Sequence, residues 1–368
     1  MRLLAVILAI LTACAWPEAQ EPAPENREAD FLSRVRRLTV EGKRAGEGYW
    51  SPDGSRLVFQ SEREPGNPFY QIYVLDLTTG ESKRISPGLG KTTCAFFRPG
   101  STEILFASTH LDPKSKQYQD DELAFRASGQ ERRYAWDYDP MMDIFAVDER
   151  TGAIRQLTDA KGYDAEGGYS PDGEWIVFSS TRDAYNRPLT ADEQRLLEVD
   201  PSAFAEIYIM RADGSDQRRL THELGYDGGP FFMKDGNIVW RRFDESGLIA
   251  DIWTMKPDGS EKKQITDFGA MSWAPYEHPS GEYFFFASNK LGFENFEIFI
   301  VDQAGAKEPV RITYTAGFDG LPVPSPDGTQ LAWTTARAGG SAGQIYLARW
   351  NHEAAMAALA AAPARNSD

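Results

Sequence analysis

The sequence predicts an all-β fold: a six-bladed β-propeller of four-stranded antiparallel blades, with the last blade closed by the N-terminal strand. Three observations carry this prediction. A turn tetrad recurs six times, its copies stand at intervals built on about 46 residues, and a fourth-strand signature missing after the last copy stands at the start of the chain. Composition agrees. With 32 Gly, 22 Pro and 12% aromatic residues in 368, the chain suits short strands and tight turns better than long helices. At 41% hydrophobic and 26% charged it is globular and long enough to bury a large core. Length alone would suggest two domains; the repeats argue for one ring.

The first element is an address. Met1-Arg2 is followed by the apolar run Leu3 to Leu11, too short to span a bilayer, and then by Leu11-Thr12-Ala13-Cys14. This resembles the lipobox of bacterial lipoproteins, which implies a signal peptide over 1–13 and lipidation of Cys14. An ordinary secretory signal cut near Ala13 or Ala15 is the alternative. Both imply export, to the periplasm or cell envelope. A Pro/Ala/Glu-rich tether is expected over 14–35.

The blades follow over 36–350. Ser51-Pro52-Asp53-Gly54 recurs as Ser170-Pro171-Asp172-Gly173 and Ser325-Pro326-Asp327-Gly328, with degraded copies at Arg98, Met233 and His278. Pro presets one turn dihedral, and Asp-Gly supplies a side-chain bond and a permissive backbone. The second tetrad positions are 52, 99, 171, 234, 279 and 326, so two blades carry insertions. Each turn precedes an apolar strand and then an Ile-aromatic strand: Ile72-Tyr73, Ile144-Phe145, Ile207-Tyr208, Ile252-Trp253, Ile298-Phe299 and Ile345-Tyr346. Such runs suit sheets covered on both faces. The fourth strand reads basic-x-Leu/Ile-Thr/Ser at Ile85-Ser86, Leu157-Thr158, Leu220-Thr221, Ile265-Thr266 and, more weakly, Ile312-Thr313. The sixth copy is Arg36-Arg37-Leu38-Thr39, so the N-terminal strand should complete the last blade and hide the sheet edges.

The combined pattern resembles the PD40 (WD40-like) repeats of the TolB propeller family of the bacterial periplasm, over almost all of the chain past the tether. The resemblance implies the fold far more strongly than a function, because similar propellers serve as peptidase accessory domains and as lyases. TolB carries a separate α/β domain ahead of its propeller; only a short tether is expected here.

Blade topology places the functional surface. The Pro-Asp-Gly turns share one face with the turns between strands three and four. The opposite face collects the loops leading into each innermost strand and the loops between strands two and three, including both insertions, about His110 to Met142 and about Asp183 to Ala203. The first insertion holds Tyr134, Trp136 and Tyr138, aromatics suited to anchor a peptide or a sugar, or to pin the insertion to its blade. In the second, Thr190 to Glu193 matches a capping box, predicting a helix to about Glu198 with Leu196 and Leu197 packed down. The lead-in loops carry Glu47, Asp164, Glu166, Asp227 and Asp319, and the second strands end in Arg63, Arg182, Arg242, Lys290 and Arg337. By the TolB resemblance the acids encircle the channel mouth. They either bind a cationic peptide or Ca²⁺, or pair with the bases as scaffolding. No other cofactor and no other metal site is expected.

The remaining signals exclude more than they add. A formal net charge of −16 argues against nucleic acid. Two cysteines exclude a disulfide scaffold and a Cys-based zinc site, and Cys94 reads as a small buried residue. Gly339 to Gly343 matches G-x-S-x-G, but a propeller strand rather than a helix should follow. Gly90-Lys91-Thr92 lacks the upstream glycine of a phosphate loop. Asn351 should cap a short Ala-rich helix within a tail over 351–368. The expected function is a monomeric, lipid-anchored, non-enzymatic propeller that binds a protein or peptide of the cell envelope through its channel face. The alternatives are a carbohydrate- or metal-binding propeller with lyase or hydrolase chemistry, or an accessory to a separate peptidase.

Overall fold

The computed structural model describes residues 25–131, 136–339 and 343–365. Cys14 and Tyr134 lie outside the described residues, as do Gly340 to Ala342. Six four-stranded antiparallel sheets form the ring. The innermost strands of blades 1 to 6 are Arg44–Trp50, Thr92–Phe97, Asp164–Tyr169, Asp227–Phe232, Ser272–Glu277 and Asp319–Pro324. The outermost strand of blade 6 is Leu32–Arg37, which pairs antiparallel with Gln344–Trp350 through Arg36↔Leu347 and Arg37↔Tyr346. It begins four residues before the expected start of the propeller. The core lies between neighbouring sheets, where Phe59, Phe106, Phe178, Trp240, Phe285 and Trp333 are fully buried.

The two sequence signatures turn out to be halves of one contact. In every blade the hydroxyl that ends the fourth strand accepts the backbone N–H of the third-strand isoleucine. Ser86 takes Ile72, Thr158 Ile144, Thr221 Ile207, Thr266 Ile252, Thr313 Ile298 and Thr39 Ile345, at 2.8–3.0 Å. The same hydroxyl donates to the residue before that isoleucine: Gln71, Asp143, Asp251, Glu297 and Gln344 accept at 2.7–3.2 Å. A short fourth strand is thereby fastened by a buried side-chain clamp where few ladder bonds exist. The turn tetrad is explained in the same terms. Ser51, Ser170 and Ser325 each donate to the Asp two residues on and accept an N–H from the second strand.

The insertions build one rim. The second contains the helix Ala191–Val199, whose Thr190/Glu193 capping box is present. The first contains the helix Ser115–Ala127. Its buried positions are Ser115 and Gln119, and Gln119 accepts from Gly90 N at 2.7 Å and donates to Gly66 O at 3.0 Å. An apolar stripe therefore does not announce it. The helix His352–Ala361 is capped by Asn351 and packs with Phe31 and Leu32 over blade 5.

The clamp at the ring's seam joins residues 305 positions apart in the chain. Thr39→Val leaves the Ile345 N–H and the Gln344 amide unpaired and should cost about 1–3 kcal/mol in chemical denaturation. Thr39→Ser should recover most of that loss.

Candidate functional site

A backbone feature repeated in all six blades creates the site. Each innermost strand slips register against its neighbour at its third or fourth residue. The residue inside each bulge adopts a left-handed conformation: Glu47, Cys94, Glu166, Gly229, Ala274 and Leu321, all with φ between 51° and 58°. For five non-glycine residues this is an uncommon backbone, and it recurs because the bulge re-aims one position per blade toward the axis. All six residues line a cavity of about 690 Å³. Two residues further on, Tyr49, Phe96, Phe231 and Tyr276 meet across the axis with ring centroids 5.1–6.2 Å apart. A β-carbon at Gly168, the equivalent in blade 3, would stand 3.3 Å from the Phe231 ring. The rings plug the channel, so the cavity is blind and opens on the face of the insertions.

Its walls are aromatic and its floor is charged. Trp136 and Tyr138 come from the first insertion, Leu196 and Asp200 from the second, Tyr226 from the lead-in loop of blade 4, and Trp273 from blade 5. Trp136 Nε1 donates to the Tyr163 hydroxyl at 2.9 Å, and Tyr138 packs edge-on against Tyr163 and Tyr226. These aromatics therefore pin the insertion and also face the cavity. Leu196 lines the cavity rather than sealing its helix against the blade, since that helix buries no residue.

On the floor, Glu166 accepts from Arg241 Nη2 at 2.8 Å, from the Tyr226 hydroxyl at 2.5 Å and from Gly229 N at 2.7 Å. Arg241 also donates to the Tyr226 hydroxyl. Glu47 accepts from the Tyr49 hydroxyl at 3.3 Å. Burial, reinforced by the Glu166 charge and eased by Cys94, Tyr49 and Arg241, pushes its pKa to about 7. Burial also holds the Cys94 thiol well above its usual range, so it stays protonated. Cys94 is buried, as the sequence suggests, but on the channel wall.

The five acids expected at the mouth divide into two groups. Glu47 and Glu166 sit on the bulges and line the cavity. Asp164, Asp227 and Asp319 open their strands two residues earlier and turn into their own blades. Asp164 pairs with Arg182 and accepts from Ser180. Asp319 accepts from Trp333 Nε1 at 3.0 Å and pairs with Arg337 at 3.3 Å. Asp227 accepts from Trp240 Nε1 at 2.9 Å and lies 3.8 Å from Arg242. Burial pushes all three carboxyls upward, Asp227 to about 6. Arg63 pairs with Glu41 at 3.0 Å, and Lys290 donates to Phe268 O at 2.6 Å. None of these five bases and none of these three aspartates lines the cavity. Among the described residues, the cation that lines the cavity is instead Arg241, one residue before Arg242 and so on the opposite face of its strand. Comparing equivalent repeat positions would have exposed it. The second-strand residues paired opposite the bulge are Gln60, Ala107, Ser179, Arg241, Ala287 and Thr334, with one charge among six. Among the described residues no cluster of three or more His, Cys, Asp or Glu could hold a metal. His278 is buried against Tyr283 and His352, away from the cavity.

No family model matches the sequence. Among curated proteins, 153 residues are 26% identical to an uncharacterized peptidase, YuxL, of Bacillus subtilis, covering 38% of this chain and 22% of that protein. The chain spans between 22% and 34% of the length of the curated relatives it matches. Among solved structures, a protein assigned as TolB from Agrobacterium tumefaciens superposes with a TM-score of 0.58 at 21% identity, covering 86% of this chain and 93% of that one. TolB of Acinetobacter baumannii gives 0.54 at 16% identity, over 84% and 64%. An oligogalacturonate lyase of Vibrio parahaemolyticus gives 0.53 at 14% identity, over 87% and 94%. The fold is a TolB-like six-bladed propeller.

Two consequences are measurable. A carboxyl whose pKa rises on folding stabilises below its unfolded value near 4.5, and that contribution disappears as pH rises through 7. Glu47→Gln does not titrate, so wild type should lose up to about 3 kcal/mol relative to this variant between pH 4.5 and 8. Denaturation curves of the two proteins across that range provide the check. Asp319→Ala leaves Trp333 Nε1 without its acceptor and removes one of the two carboxylates paired with Arg337, and should destabilise by about 1–3 kcal/mol, with the cavity unchanged in the folded fraction.

Proposed function

We propose that this chain is a non-enzymatic binding module of the bacterial cell envelope that takes a peptide segment of a partner protein into the blind cavity on its insertion face. The observation that carries the reading is the cavity together with its surroundings. Val199, at the end of the insertion helix of blade 3, and Leu224, Leu248, Leu291 and Phe293, on loops of blades 4 and 5, are 49–84% exposed on the face where the cavity opens. Leu224 lines the cavity and the others share its face, so large exposed apolar side chains there suit a protein surface, with the pocket receiving an anchor. Asp200, Asp244 and Glu245 add negative charge to the rim, which favours a segment carrying basic residues. The segment Met1 to Cys14 supports export and lipid anchoring at Cys14, with the ring acting as a monomer. Among the described residues no helix is long and apolar enough to cross a membrane.

A catalytic reading draws on Glu47 alone. A carboxyl that holds its proton near pH 7 beside a second glutamate has the character of a general acid. Loss of a lyase or hydrolase activity on Glu47→Gln, in a protein that still binds, would favour it.

The binding reading is tested by capture from the native envelope after crosslinking. A partner should be enriched by wild type and reduced at least about tenfold by Leu224→Glu combined with Phe293→Glu. Both side chains are exposed, so the unfolding transition should stay in place. Capture that survives both substitutions would move the interface elsewhere.

A further inference from the structure

We propose that the cavity floor captures the C-terminal carboxylate of a peptide on the guanidinium of Arg241. The inference rests on the peptide-binding reading and specifies which end of the peptide enters.

Arg241 reaches the channel through a gap made for it. In blades 1, 2, 3, 5 and 6 the bulge carries a side chain; in blade 4 it carries Gly229. A β-carbon on Gly229 would stand 2.0 Å from Arg241 Nη1. The guanidinium therefore occupies the place of a channel-lining side chain, although Arg241 sits on the second strand. Its hydrogen bonds to Glu166 and Tyr226 both use Nη2. Its Nε has no acceptor among the described residues, in a side chain only 6% exposed. A buried guanidinium with donors left over is costly unless something accepts from it, and its planar fork matches a carboxylate.

The surroundings select an anionic chain end. The aromatic plug closes the channel beneath the floor, so a peptide that enters must stop there. An ammonium end would bring only further donors to a guanidinium that already has donors to spare, its charge balanced by Glu166. A carboxylate meets the guanidinium together with Glu47, which near neutral pH is protonated for much of the time and donates rather than repels. Glu166 is already occupied by three donors. Trp136, Tyr138, Phe243 and Trp273 flank the path for the preceding side chains.

The test uses two pools of short N-acetylated peptides randomised in their last few positions, one with free carboxyl ends and one amidated, passed over the immobilised full chain. Trigalacturonate forms a third arm. Wild type should retain the free-acid pool about tenfold or more over the amidated pool. Arg241→Gln should erase that preference. Gly229→Ala should do the same without removing the charge, since alanine tolerates this backbone at the equivalent Ala274 and its methyl group displaces Nη1. If Arg241→Gln fails to fold, Gly229→Ala decides. Equal retention of both pools overturns the carboxylate inference and leaves peptide binding standing. Retention of neither pool overturns both. Retention of trigalacturonate alone overturns the peptide end in favour of an acidic sugar.

Discussion

A ring of sheets has no edge to spare, so closing its seam is the condition on which the rest of the molecule depends. Five blades are continuous in sequence, but the sixth is assembled from the two ends of the described chain. Leu32–Arg37 supplies the missing ladder, and Thr39 repeats across the seam the hydroxyl clamp that every other blade makes internally. Glu28 adds a further tie, accepting from Arg337 at 2.9 Å and from Tyr314 N at 3.1 Å. The seam is thus fastened by the same chemistry as the covalent blades. Because fourth strands are as short as two residues, a buried hydroxyl bonded both ways supplies order that the ladder alone cannot.

Closure fixes six innermost strands around one axis, and the bulge then determines what the axis contains. The same left-handed residue in each blade points at the channel, so six equivalent positions become six independent choices of lining: two acids, a thiol, a glycine, an alanine and a leucine. The scaffold residues two positions earlier do not share that freedom. They anchor the strand to its own blade through tryptophan and arginine, which is why carboxylates so close in sequence serve different ends.

This offset sets what could be read from sequence. The blade count, the turn chemistry, the closing strand and the capped helix at Ala191 are all local patterns with a physical mechanism, and each is present in the structure. The acids were visible too, but a period-two strand assigns Asp164 and Glu166 to the same face, and only the bulge separates them. Bases at the ends of the second strands single out Arg242 rather than Arg241 beside it. The helix Ser115–Ala127 escaped notice because polar side chains, not an apolar stripe, hold it in place. What stayed hidden was therefore backbone geometry and buried polar bonding, for which hydrophobic periodicity has no signal.

The electrostatics of the face follow from the same division. The protein is strongly acidic, and the rim of its cavity keeps that character through exposed Asp200, Asp244 and Glu245. Below the rim the balance changes. Glu166 is matched by Arg241, and burial keeps a proton on Glu47 up to about pH 7, so the floor carries little net charge near neutrality. Ionising Glu47 would add a second carboxylate to the surroundings of Glu166, which already pairs with Arg241, in a setting where water screens poorly. Desolvation thus does what an additional base would otherwise have to do. It lets an acidic rim stand above a nearly neutral floor, at whose base, among the described residues, the forked cation is Arg241.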